Sequence, residues 1–280
     1  MSRVIFVIGG AHEQISTSDE LVAAQLRAAG VRVDGVPWTR EPDAFADADL
    51  IVLRSNWDYP YHLERFEAWL AHAENGAWPL VNAAPLVRWN LRKSYLFELE
   101  AAGVPVPRTT VAASAAQVEA TLRDWGTANG VIKPLCGASG VGVRRVERGQ
   151  PTVELDGGDW LLQELMPEIR DGEWSLAFFG GEFSHAVRKT PQAGEFRINS
   201  RFGGAVETQQ PTPNLIGQAG QVLDALSKIV EYEPLYARID GIVKNNQFIL
   251  FELELNEPSF YLQHEPAGAE RFAKTLLETL

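Results

Sequence analysis

Apolar positions along this chain fall into two rhythms, unbroken or alternating runs that suit strands and three-to-four-residue spacings that suit helices. Residues 3–9 hold the run Val4-Ile5-Phe6-Val7-Ile8 and predict a buried strand. Ser18 to Ala29 has helical spacing with Gly30 as a stop, and Val31 to Val36 predicts the next strand. This is a βαβ opening. Asp49 to Arg54 predicts another strand and Tyr61 to Ala73 a helix, so residues 1–88 read as an α/β lobe with a mostly parallel sheet, its strand ends facing a cleft. Asn90 to Ala102 is expected as one helix, capped by Asn90 and ended by Gly103, after which Val104-Pro105-Val106-Pro107 forces an extended passage. A helix over Ser114 to Trp125, a strand over Gly130 to Lys133, a glycine loop and strands near 141–146 and 159–163 make a small second lobe, residues 89–170.

From Glu173 the pattern changes. Trp174 to Phe179 and Glu182 to Val187 are two strands joined by Gly180-Gly181, and Lys244-Asn245-Asn246-Gln247 separates Tyr236 to Val243 from Phe248 to Leu255 in the same manner. Residues 171–280 therefore predict a third lobe of antiparallel hairpins, with helices near 214–230 and 266–280 over one face.

Composition narrows the function classes. A chain of 280 residues suits two or three lobes of roughly 100 residues each, with a cleft between them. Net charge is −12 with no basic block, which argues against a phosphate-tracking surface for nucleic acid or anionic lipid and requires any phosphate site to be local. Cys136 is the single cysteine, so an internal disulfide and a multi-cysteine metal site are ruled out. The apolar start is too short for a signal-peptide core or a membrane span, and a cytoplasmic protein is expected. The histidines, His12, His62, His72, His185 and His264, lack metal-ligand spacing and support neither a zinc site nor a Ser-His-Asp arrangement.

Candidate chemistry lies in a scattered set. Alternation along the last strand puts Glu252, Glu254 and Asn256 on one face, a line of hard oxygen donors of the kind magnesium favours. An isolated Glu-x-Glu is more often a solvated sheet face, but Arg238-x-Asp240 on the preceding strand of the hairpin turns the balance towards a site. Val131-Ile132-Lys133 ends a buried strand with an ammonium, and Gly137-Ala138-Ser139-Gly140-Val141-Gly142 follows, a loop whose backbone N–H groups can approach an anion closely. It is neither a Walker loop nor a dinucleotide fingerprint, and a bare glycine turn is its plainer reading. Gln163-Glu164-Leu165-Met166 leaves a strand at a hinge where backbone groups can read a base edge and Glu173 can hold ribose hydroxyls; an interlobe linker fits the spacing equally well. Arg188, Lys189 and Arg197 adjoin a polar, glycine-rich loop over Thr190 to Gly204, and cations there suit a carboxylate or a phosphoryl group. Arg54, Asn56 and Trp57 follow a strand of the first lobe and suit a substrate pocket wall, or a rigid packed loop.

Taken together these residues resemble the ATP-grasp superfamily, in which two α+β lobes clamp ATP behind an N-terminal Rossmann-like α/β lobe. Leu53 to Pro60, Val87 to Asn90 and Gly181 to Lys189 are similar to the cycloserine-forming ligase group, related to glutathione synthetase and RimK-type ligases. The resemblance implies ATP and Mg2+ as cofactors. It implies that Lys93, Lys133, Ser139 and Gly140 contact phosphates, that Gln163, Glu164, Leu165 and Met166 receive adenine, and that Glu173 receives ribose. It further implies Asp240, Glu254 and Asn256 as magnesium ligands, Arg238 and Lys189 as catalytic cations, and Arg197, with Arg54, Asn56 and Trp57, at the substrate. The implied activity is an ATP-dependent carboxylate–nitrogen ligase working through an acyl phosphate on a small amino-acid-like substrate, with a homo-oligomer as a further expectation. A non-catalytic ATP-binding sensor or partner module is the alternative; a Rossmann oxidoreductase is disfavoured because Gly9-Gly10 has no third spaced glycine.

Overall fold

The computed structural model describes residues 1–10, 14–150, 155, 160–192 and 203–280. The first sheet holds β1 (Arg3–Ile8), β2 (Arg32–Pro37), β3 (Leu50–Ser55) and β4 (Leu80–Val81) in the order β2-β1-β3-β4, with every pairing parallel. Helix α1 (Thr17–Ala28) begins at Ser16, whose hydroxyl accepts from Asp19 N at 3.1 Å. It ends where Gly30 takes φ +84°, which lets Val31 N reach back to Leu26 O. Helix α2 (Leu63–Asn75) starts after a single 3-10 turn at Tyr59–His62.

A helix not expected from the sequence, α3 (Ala84–Asn90), ends at Asn90, and of the helix expected over Asn90 to Ala102 only α4 (Tyr95–Ala101) forms, with Lys93 in the turn between the two. Asn90 caps neither helix. Its side chain donates to Leu253 O at 2.8 Å and accepts from Leu255 N at 2.9 Å, satisfying a buried strand edge of the third sheet. Asn90 thereby ties the end of α3 to that edge, and Lys93 follows in the turn, at the cleft. Gly103, φ +94°, ends α4 as the sequence predicts.

The second sheet is antiparallel, in the order β5-β8-β6-β7, from β5 (Thr109–Ala112), β6 (Asn129–Pro134), β7 (Arg144–Glu147) and β8 (Trp160–Glu164). Helix α5 (Ala115–Asp124), capped by Ser114, lays Val118 and Leu122 against Ile132, Val146 and Leu162.

The third sheet is antiparallel, in the order β11-β10-β9-β12-β13, from β9 (Glu173–Phe179), β10 (Glu182–Thr190), β11 (Ala205–Thr208), β12 (Tyr236–Lys244) and β13 (Gln247–Glu254). Both expected hairpins are present. Their central residues have positive φ, +58° and +79° at Gly180-Gly181 and +52° and +62° at Asn245-Asn246, matching the twist of the flanking strands. Helix α6 (Pro213–Leu226) covers one face of this sheet.

Helix α7 (Pro266–Thr279) does more than cover the third sheet. Phe272, Ala273 and Leu276 share one core with Ala177 and Phe179 of β9, with Val22 and Leu26 of α1, and with Val4, Phe6 and Val52 of the first sheet. Polar bolts reinforce the joint. Asn82 donates to Tyr236 O at 3.0 Å and Leu255 O at 2.7 Å while accepting from Leu235 N at 2.6 Å, and the Tyr236 hydroxyl lies 2.9 Å from Asn256 O. First and third sheets are thereby held as one body, and the cleft opens where both meet the second sheet.

Candidate active site

A cavity of about 500 Å³ lies where the three sheets converge. Its floor is β13 and its continuation, Phe251 to Glu254 with Asn256 and Glu257, and its roof is the loop after β6, Gly137 to Val141 with Val143. Gln163, Glu164, Leu165 and Met166 line one end, and Trp57, Tyr59, Asn90 and Lys93 bring in the first-sheet side.

The glycine loop adopts the left-handed region at Ser139 (φ +56°), Gly140 (+68°) and Gly142 (+78°). A Cβ on Gly142 would also lie 2.7 Å from Pro134 Cγ, so the residue is fixed both by backbone conformation and by space. Lys93 ties the loop to the floor. Its Nζ donates to Gly137 O at 2.9 Å and pairs with Glu252 at 2.8 Å. Burial lowers the Lys93 pKa, but the Glu252 carboxylate more than offsets this and leaves the ammonium firmly charged. Lys133 differs. Among the described residues no carboxylate lies within 4.0 Å of it, its one polar contact being Phe251 O at 3.5 Å, and burial lowers its pKa.

On β9, β10, β12 and β13 the charges interlock. Arg238 binds Asp240 through Nε at 3.0 Å and Nη2 at 2.7 Å, and also pairs with Glu254. Ser175 Oγ donates to Asp240 at 2.6 Å, and Lys189 pairs with Glu173 at 2.5 Å and Asp240 at 3.5 Å. Burial would raise the Asp240 carboxyl, but Arg238 and Lys189 hold it down at about 2. Burial wins at the neighbouring acids, pushing Glu173 up to about 7 despite Lys189, and Glu254 up to about 7 despite Arg238. Arg188 and Lys189, expected beside the polar loop, belong to β10, with Lys189 4 % exposed.

The hinge end is apolar. Met166 packs with Ile169, Ile242 and Ile249, with Phe251 beside them, and Met166, Ile169 and Phe251 present the apolar side of the cavity. Glu164 accepts two bonds of 2.8 Å from Arg108, and Gln163 donates to Thr109 at 3.1 Å.

Several expected site residues fall elsewhere. Arg54 does not face the cavity: its Nε and Nη2 bind Asp19 Oδ1 at 2.8 and 2.7 Å, Nη2 also reaches Pro258 O, and the guanidinium lies 4.7 Å from the Phe260 ring centre. It is a buried joint between the first sheet and the chain beyond β13. Asn56 is fully buried beneath the cavity and donates to Asn256 Oδ1 at 3.4 Å. Trp57 does line the cavity, its Nε1 donating to Glu257 O at 3.1 Å. Arg197 lies outside the described residues.

Sequence reading missed Glu257, while Tyr59, in the loop read as a pocket wall, does line the cavity. Strand alternation puts Glu257 in phase with the core residues Leu253 and Leu255, but β13 ends at Glu254 and the phase is lost. Pro258, two residues after Asn256, is the signal that marks this break.

As donors, Asp240, Glu254 and the Asn256 amide form a hard-oxygen set suited to a magnesium ion. Among the described residues no three acid, histidine or cysteine side chains are grouped to cage an ion. Such a set leaves coordination positions for phosphate oxygens and water, the usual habit of magnesium.

Two family models match the chain: the N-terminal domain of D-cycloserine synthetase DcsG over residues 4–82, and the ATP-grasp domain of prokaryotic glutathione synthetase over residues 96–229. The cycloserine biosynthesis protein DcsG of Streptomyces lavendulae is 28 % identical over 272 residues, covering 91 % of each chain. A crystal structure of D-cycloserine synthetase DcsG superposes with a TM-score of 0.84 at 25 % identity, covering 99 % of both chains. The structure of the ATP-grasp ligase PsnB, complexed with a phosphomimetic variant of its minimal precursor, Mg and ADP, shares the fold at a TM-score of 0.69 and 16 % identity, covering 99 % of this chain and 98 % of that one. With its parallel first sheet, its two antiparallel sheets and these matches running along nearly its whole length, the chain has the ATP-grasp fold and is similar to the cycloserine-forming ligase and glutathione synthetase.

Proposed function

We propose that this ligase activates the carboxylate of a small amino-acid-like substrate as an acyl phosphate and passes it to a nitrogen nucleophile. The product is an amide or a ring, with ADP and phosphate released. The observation that carries this reading is the pairing pattern in the cavity. Lys133 is a buried ammonium with no carboxylate partner among the described residues, and it stands between a glycine loop able to close on phosphate and a line of oxygen donors.

In this account residues 89–170 and 171–280 close on the nucleotide and residues 1–88 supply the acid's side. Adenine lies against Met166 and the hinge from Gln163 to Leu165, while Glu173 receives the ribose. Lys93, Lys133 and the amides of Ser139 and Gly140 receive phosphate oxygens. Asp240, Glu254 and Asn256 would hold magnesium, which would neutralise charge on the transferring phosphoryl group. Arg238 and Lys189 orient Asp240 and present positive charge to the same region, so positioning and electrostatics supply the rate and no side-chain nucleophile is needed. The glycine loop, tied to Lys93, shields the acyl phosphate from water when it closes.

The test is ADP release from ATP and Mg2+ across a panel of amino acids and O-substituted serines, singly and in pairs. Turnover with one acid indicates cyclisation, and turnover with a pair only indicates intermolecular ligation. Asp240→Asn and Glu254→Gln are expected to lower turnover at least about 100-fold, since each removes charge acting on the transition state. Nucleotide binding with no turnover on any acid would replace this reading with a non-catalytic module.

A further inference from the structure

Six carboxylates line the cavity: Glu164, Glu173, Asp240, Glu252, Glu254 and Glu257. Among the described residues, each of the first five has a cation within 4.0 Å: Arg108 for Glu164, Lys189 for Glu173, Arg238 and Lys189 for Asp240, Lys93 for Glu252, and Arg238 for Glu254. Among the described residues Glu257 has none, although it is only 9 % exposed. A carboxylate withdrawn from water without a counter-charge is costly, and a binding site is where such a charge has a use.

Location suggests the partner. Glu257 is fastened through its backbone carbonyl to Trp57, and Tyr59 lines the same side of the cavity. Both aromatic residues lie just past the carboxyl end of β3, the end of a parallel sheet at which open α/β folds take their ligands. Lys93, the ammonium on the first-sheet side of the cavity, is committed to Glu252 and Gly137 O. Glu252 and Glu254 line the same cavity, so the group best matched to Glu257 is a cation. Phosphate is unwelcome beside this acid, and the group that approaches it belongs to the other substrate.

We propose that Glu257 receives the protonated amine of the acid substrate, so that the site selects an ammonium-bearing acid over its 2-hydroxy counterpart. The proposal rests on the ligase reading above and adds the basis of substrate choice. Glu257 grips a charge that does not change as the bond is made, and its loss is expected mainly in KM.

The experiment takes the acid from the panel that drives the fastest ADP release and compares it with its 2-hydroxy counterpart in wild type, Glu257→Gln and Glu257→Asp. Binding of Mg·ATP to each protein is measured alongside by calorimetry. The expected result is a KM for the amino acid raised on the order of 30-fold in Glu257→Gln, with partial recovery in Glu257→Asp. The wild-type preference over the 2-hydroxy acid should shrink by the same factor, and Mg·ATP affinity should stay unchanged. Equal KM values for the two acids in wild type would overturn the proposal without any variant. Weakened Mg·ATP binding in Glu257→Gln would overturn it in favour of a metal-side role, and an unchanged preference would overturn it outright. Silence of the wild-type protein across the panel would instead sink the ligase reading, and the proposal with it.

Discussion

Arg54 and Lys133 are both buried cations, and what surrounds each decides what it does. Arg54 is spent on Asp19 and on Pro258 O, under the rings of Phe260 and Phe272. Replacing it with Met strands the Asp19 carboxylate in the core, and urea unfolding should report a loss of about 3–5 kcal/mol. A stable Arg54→Met protein with a raised substrate KM would return Arg54 to the substrate wall. His185 supplies a second test at this scale. Its Nε2–H donates to Phe260 O at 2.7 Å, while Nδ1 faces Ser184 Oγ, which also accepts from Arg271 at 2.8 Å. Burial and Arg271 lower the imidazole pKa below its ordinary 6.5, with the bond to Phe260 O and the charge of Glu265 opposing. The unfolded chain then binds the extra proton, so this contribution to stability is complete above pH 6.5 and declines as pH falls below it. Glu173 and Glu254, raised to about 7, slope the other way, losing stability as pH rises from the ordinary carboxyl value of 4.5. The observable is therefore the difference between wild type and His185→Gln in urea titrations from pH 8 to 5, which should narrow with acid. A constant difference would contradict the assignment.

At the scale of elements, the strands and hairpins were written in local pattern. The run Val4 to Ile8 and the Gly180-Gly181 and Asn245-Asn246 turns all carry their geometry within a few residues. What escaped were features set by contacts distant in sequence. β5 is four residues of modest apolarity that become a strand through pairing with β8, and the Asn90 amide, a helix cap by its place in the sequence, is used at Leu253 and Leu255 instead. The misplacement of Arg54 has the same origin: from sequence it looked like a pocket arginine, and only the fold brings Asp19, 35 residues away, beneath it. Asn90→Ala tests the element-level reading. It leaves a buried N–H and a carbonyl unsatisfied, and a stability loss of about 1–3 kcal/mol is expected. The altered turn should also shift Lys93 and weaken nucleotide binding. An unchanged urea midpoint would mean that the strand end finds its partners elsewhere.

For the whole molecule, the organising fact is the shared core through which α7 joins the first and third sheets, leaving the second sheet and its glycine loop to frame the opposite side of the cavity. Phe272→Ala is expected to cost about 3–5 kcal/mol. It should lower hydrogen-exchange protection in β1 and β9 together while sparing β6. Loss confined to β9 would separate the two sheets energetically.

In the proposed function Mg·ATP fills this cavity with its phosphates at Lys133. The most direct measurement is calorimetric titration of ATP, with and without Mg2+, into wild type and Lys133→Met. The account predicts saturable, magnesium-dependent binding in wild type and an affinity weakened on the order of 30-fold or more in Lys133→Met, since a buried charged hydrogen-bond partner is removed. Equal affinities in the two proteins, or no binding in wild type, would contradict it.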